Sequence, residues 1–154
     1  MKTEPKQVAP VHVLSRRDRL TIPQIPGHSG PAIDSLFEVL KRQNVKPAGS
    51  LIYIYHGCDG TPTTPFDLEI CVPVPADAKF TPGAQMELKS TSPFKCVATD
   101  YVGSMTGIGE SWMKFVQSIC AAGQKPTDQS REIYKKWIAF DSPDNVTELQ
   151  QGVE

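Results

Sequence analysis

The sequence predicts an α+β fold made of one unit used twice, and three observations predict it. The chain matches itself at an offset of about 79 residues, which pairs Gly30 with Gly109, Lys46-Pro47 with Lys125-Pro126, Ile54-Tyr55 with Ile133-Tyr134 and Glu69 with Glu148. Apolar positions follow the same offset, since Ile33, Leu36, Phe37, Leu40 and Ile70 fall on Trp112, Phe115, Val116, Ile119 and Leu149. Both halves also run in one order: strand, Gly-containing turn, amphipathic helix, Lys-Pro turn, aromatic strand, irregular loop, closing strand. That is a duplicated βαββ unit rather than a solenoid of many short repeats. A unit of this size buries proportionately little surface, so the copies, at about 8–75 and 84–153, are expected to pack into a single domain over residues 1–154.

The elements follow in order. Val, Ile and Leu content predicts strands at 8–14 and 18–25. The segment 29–44 predicts a helix, with Pro31 in its first turn, Ile33, Leu36, Phe37 and Leu40 as its apolar stripe, and Lys41 and Arg42 at its carbonyl end. Residues 50–56 predict a strand with Tyr53 and Tyr55 at alternate positions, 57–65 a loop dense in Gly and Pro, and 66–74 a strand. Pro73, Pro75 and Pro82 mark an extended seam between the copies. The second copy predicts strands at 84–90 and 94–101, a Gly-rich turn at 102–109, a helix at 106–122, and strands at 130–138 and 146–153. Trp112, Phe115, Val116 and Ile119 sit at i, i+3, i+4, i+7 of that helix, a core-facing stripe first and a binding surface second. The Gly-rich turn lacks the Lys-Ser/Thr of a phosphate loop.

Composition narrows the function. The chain has 154 residues, of which 39% are apolar and 21% charged, as in ordinary globular domains. A formal charge of −1 argues against binding nucleic acid by neutralising phosphates, and Arg16-Arg17-Asp18-Arg19 is one local exception. No apolar run has the length of a membrane span, and the first ten residues lack the apolar core of a signal peptide, so a soluble, cytoplasmic protein is expected. Cys58, Cys71, Cys96 and Cys120 lie 13, 25 and 24 residues apart, a spacing for packing rather than for zinc or redox work. His12, His28 and His56 are scattered as well, and neither a metal nor a cofactor is expected.

Asp100-Tyr-Val-Gly-Ser104 before a helix, Arg131-Glu-Ile-Tyr134 on the next strand and Asn145-Val-Thr-Glu148 in the last resemble the GyrI-like small-molecule-binding family. That family includes the effector-binding domains of multidrug-responsive AraC- and MerR-type regulators. The resemblance implies an SHS2-like architecture, an antiparallel sheet with two helices on one face and a central ligand groove between the copies. Residues 1–7 are a short tail and the two copies take up the rest, so a stand-alone form without an attached DNA-binding domain is expected. Family members often carry histidine where this chain has Tyr101.

In strand 130–138 the period of two puts Glu132, Tyr134 and Lys136 on one face and Ile133, Lys135 and Trp137 on the other. The repeat sets Tyr53 and Tyr55 as partners of Glu132 and Tyr134. A carboxylate ringed by aromatic faces suits a flat lipophilic cation, because ring quadrupoles attract positive charge and the carboxylate neutralises it. The resemblance points the same way, since its drug-binding members use a glutamate matching Glu132. The expected binding residues are therefore Glu132, Tyr134, Tyr53, Tyr55 and Trp112. The competing reading of Glu132 is a strand-edge residue paired with Lys136 or Arg131, and structural roles are expected for Glu69 and Glu148. Three functions follow: binding of a cationic aromatic small molecule for sensing or sequestration; hydrolysis of reactive cyclopropane-type compounds with Glu132 as catalytic base; or a gyrase-inhibitor-like protein interaction through the loop 57–65. Oligomeric state stays open.

Overall fold

Eight strands form one antiparallel sheet in the computed structural model, which describes residues 2–154. In chain order they are β1 (Glu4–Val8), β2 (His12–Leu20), β3 (Ile52–His56), β4 (Phe66–Pro73), β5 (Met86–Ser90), β6 (Phe94–Val102), β7 (Pro126–Lys136) and β8 (Val146–Val153). Two helices, α1 (Ile25–Arg42) and α2 (Ile108–Ala121), follow β2 and β6. The sheet order is β1-β6-β8-β7-β3-β4-β2-β5. This order is symmetric about the β7/β3 pair, with β6-β8-β7 on one side mirrored by β2-β4-β3 on the other. The flanking strands are exchanged: β1, from the first half of the chain, pairs with β6, and β5, from the second half, pairs with β2.

Both helices pack on one face. Ala32, Leu36, Val39 and Leu40 of α1 are buried with Leu14, Phe66, Leu68 and Ile70 of β2 and β4. Phe115 and Ile119 of α2 form a smaller core with Val97, Leu149 and Val153. A third cluster, Val13, Ile52, Ile54 and Cys71, alternates in its strands with residues of the α1 core and therefore lies on the helix-free face.

Several expectations need correction. The first two strands run 4–8 and 12–20, so residues 8–14 and 18–25 do not bound them. Residues 22–24 form a 3-10 turn instead, entered through Thr21, whose N–H donates to Gln24 Oε1 at 2.8 Å. Helix α1 then begins at Ile25, four residues early, which places Pro31 inside it rather than in its first turn. Its buried positions step 32, 36, 39, 40, so Val39 takes the inward place expected of Phe37, which is 38% exposed. Asn44, with φ of 54°, ends the helix in the left-handed region that Asn tolerates. Helix α2 starts at Ile108 after a 3-10 turn at Met105–Gly107, and Ser104 accepts from the Thr106 N–H at 3.1 Å. Strand β7 begins at Pro126, not 130, and ends at Lys136.

Candidate functional site

The central pair β3/β7 carries the site. Its register sets Tyr53 directly opposite Glu132, the two positions that the 79-residue offset equates, so the local symmetry axis passes between them. Tyr55 lies opposite Ser130 rather than Tyr134, because the strands run antiparallel. Side chains nevertheless converge. Tyr55 Oη donates to Glu132 Oε1 at 2.7 Å, Tyr134 Oη donates to the same oxygen, and Trp112 Nε1 donates to Oε2 at 2.7 Å from α2. Tyr53 packs edge-on to Tyr134, with ring centroids 4.8 Å apart, and lies 6.4 Å from Tyr55. The five residues expected at the site thus form one cluster.

The electrostatics of that cluster are unusual. Glu132 is 4% exposed, and its three hydrogen-bond partners are all neutral. Burial, and next the charge of Glu132, push the Tyr55 and Tyr134 hydroxyls well above the ordinary tyrosine range, so both remain donors. Burial raises Tyr53 as well. Pairing of Glu132 with Arg131 or Lys136 does not occur. Arg131 leaves from the other face, where its guanidinium lies 4.1 Å from the Phe94 ring centroid and donates to Gln129 Oε1 at 3.0 Å.

The two other buried glutamates are built differently. Glu69 accepts from Arg17 Nη1 and Lys89 Nζ, both at 3.1 Å, and His56 Nε2 lies 3.5 Å away. Glu148 accepts from Lys6 Nζ at 2.8 Å and Gln150 Nε2 at 2.6 Å, with Lys135 Nζ at 3.9 Å. They are counterparts across the pseudo-symmetry, each tied to a lysine on an exchanged strand, and they face away from the helices. Clefts of about 380 and 350 Å³ open beside them, and Glu132 lines neither. Tyr101 has a structural place: its hydroxyl donates to Ser104 O at 2.6 Å and closes over Gly103 and Gly107.

One residue escaped the sequence reading. The β7/β8 register shifts between Tyr134 and Lys136, where two steps along β7 face a single step along β8. This bulge changes the phase of the strand, so Trp137 does not stand on the face opposite Tyr134. It meets Tyr134 edge-on instead, with centroids 6.0 Å apart and planes at 89°. Among the described residues no group of three or more His, Cys, Asp or Glu is placed to hold a metal ion, and no helix is long and apolar enough to cross a membrane.

No protein-family model and no curated protein matches the chain. Solved structures do. The C-terminal domain of EcmrR superposes with a TM-score of 0.82 at 19% identity, covering 99% of this chain and 97% of that one. In the EcmrR–DNA complex the match covers 57% of the EcmrR chain. SAV2435 bound to tetraphenylphosphonium matches with a TM-score of 0.68 at 12% identity, over 100% of this chain and 94% of that one. A hydrolase from Listeria innocua matches with a TM-score of 0.73 at 13% identity, over 99% and 92%. The eight-stranded antiparallel sheet with two helices on one face is therefore the fold of the EcmrR C-terminal domain, consistent with the GyrI-like fold that the sequence resembles.

Proposed function

We propose that the protein binds lipophilic aromatic cations at Glu132, as a module that senses or sequesters them. One observation carries the proposal: a buried carboxylate held, among the described residues, only by neutral donors and set among four aromatic side chains, in a molecule that gives both of its other buried glutamates cationic partners. Burying an unpaired carboxylate costs stability, and a ligand that brings the missing positive charge recovers it. Tyr55, Tyr134 and Trp112 already use three of the roughly four lone-pair positions of the carboxylate. A cation that needs no hydrogen-bond acceptor, such as a phosphonium or quaternary ammonium, fits that arrangement better than a primary amine. Recognition then rests on charge and on the ring faces. The likeness to SAV2435, whose structure holds such a cation, supports the reading.

The test is calorimetric titration with tetraphenylphosphonium and with neutral triphenylphosphine oxide. A unit charge about 5 Å from the carboxylate at an effective dielectric near 20 is worth about 3 kcal/mol. Glu132→Gln is therefore expected to weaken the phosphonium about 100-fold and to leave the oxide unchanged. Equal effects on both ligands would refute the assignment. The hydrolase among the fold neighbours motivates a second reading, in which Glu132 assists water attack on a bound electrophile. Consumption of an electrophilic aromatic substrate by the native protein, abolished in Glu132→Gln while binding persists, would replace the binding module with an enzyme.

A further inference from the structure

Among the described residues six large apolar side chains are exposed, and three of them, Trp137, Ile138 and Phe140, are 51%, 54% and 52% exposed in one loop between β7 and β8. This loop is not loosely held. Asn145, fully buried at its base, accepts from the Ile138 N–H at 2.8 Å through Oδ1 and donates to Ala139 O at 2.6 Å through Nδ2. Its far side is docked on the turn that leads into α2, where the Met105 N–H donates to Phe140 O at 2.9 Å and the Gly103 N–H to Asn145 O at 3.0 Å. Fixed backbone that presents apolar side chains to water gives up the chance to bury them, and such patches mark binding surfaces.

The loop is continuous with the site. From Tyr53 the aromatic contacts run to Tyr134 and on to Trp137, and along that path the side chains pass from buried through half-buried to half in solvent. The bulge after Tyr134 produces this continuity, because an unbroken strand would set Trp137 on the helix-free face. We infer that the 137–145 loop is the outer wall of the Glu132 site and that Trp137 covers the distal ring of a multi-ring lipophilic cation whose charged centre lies toward Glu132. Trp137 then sets the preference for multi-ring over single-ring cations. The inference rests on the cation-binding reading of Glu132, and its occupant is the same small molecule rather than a second protein.

The experiment titrates tetraphenylphosphonium and phenyltrimethylammonium into the native protein, Trp137→Ala, Trp137→Phe and Glu132→Gln, with melting temperature and light scattering recorded for each. Trp137→Ala is expected to weaken tetraphenylphosphonium at least fivefold and phenyltrimethylammonium less than twofold, with Trp137→Phe restoring most of the loss. Glu132→Gln is expected to weaken both. A Trp137→Ala protein that keeps its melting temperature and binds the phosphonium unchanged, or loses both cations alike, overturns the inference while leaving the Glu132 reading intact. Unchanged binding of both cations in Glu132→Gln, or no binding of either by the native protein, overturns that reading and the inference with it. An effect of Trp137→Ala confined to oligomeric state overturns the inference and assigns the loop to contact between copies.

Discussion

Trp112 shows how much one hydrogen bond means where charge is buried. Among the described residues its indole N–H is the sole donor to Oε2 of Glu132, and it reaches that oxygen from a different element than the two tyrosines, which both serve Oε1. Trp112→Phe keeps the ring packing near Phe115 and removes the donor. Hydrogen bonds to charged groups are worth about 1.5–3 kcal/mol, so a urea midpoint lowered by about that free energy at unchanged slope is expected. A midpoint equal to the native one would mean that water or another donor takes the place of the indole. Glu132 and its tyrosines were legible in the sequence because strand alternation and the repeat offset set them on one face. Trp137 was not, since a single bulged residue inverts the alternation and leaves no mark in composition.

At the scale of elements, the counterpart strands β4 and β8 carry their glutamates on the helix-free face, and Glu69 shows what holds its own. Burial alone would raise its carboxyl, but the approach of His56 and the hydrogen bond and charge of Lys89 outweigh burial and bring it from the ordinary 4.5 down to about 2. A depressed folded value means that the unfolded chain binds the proton more readily. The stabilisation is therefore complete above about pH 4.5 and is lost as pH falls toward about 2. Glu69→Gln is expected to be less stable than the native protein at pH 7 and to flatten the decline in melting temperature between those two pH values. An acid profile parallel to the native one would show that other carboxylates govern it. The helices illustrate what periodicity resolves. Leu36, Leu40, Phe115 and Ile119 were read as inward and are buried, whereas Phe37 was displaced by Val39 once the contact surface with the sheet was fixed. The early start of α1 was hidden because Pro26 and Gly27 are poor helix formers and Ile22 and Ile25 suit the strand expected at 18–25, while the capped turn at Thr21 launches the helix there.

For the whole molecule, the exchange of outer strands joins the halves beyond the central pair. Lys6 on β1 reaches Glu148 on β8, and Lys89 on β5 reaches Glu69 on β4. Lys6→Met is therefore expected to weaken the half to which β1 is not linked in sequence. The cost should be about 1 kcal/mol or less, because Lys6 is partly exposed, and amide exchange should quicken in β6 and β8 more than in β2 and β4. Uniform acceleration over the sheet would instead mark a global loss. The duplicated order of elements was readable from the offset, but the exchange was not, since nothing in a short charged strand such as Glu4–Val8 specifies which edge it joins.

The position of β8 has a kinetic consequence. It follows every other strand in the chain, yet it lies inside the sheet between β6 and β7. Until it is in place, the β1–β6 ribbon has no ladder of strand-to-strand hydrogen bonds to the remaining strands, and that ribbon itself closes a loop of about ninety residues between Glu4 and Ala98. Such non-local closure is slow, so the joining of the β1–β6 ribbon to the local β7–β8 hairpin is expected late in refolding, with the inner edges of β6 and β8 unsatisfied until then.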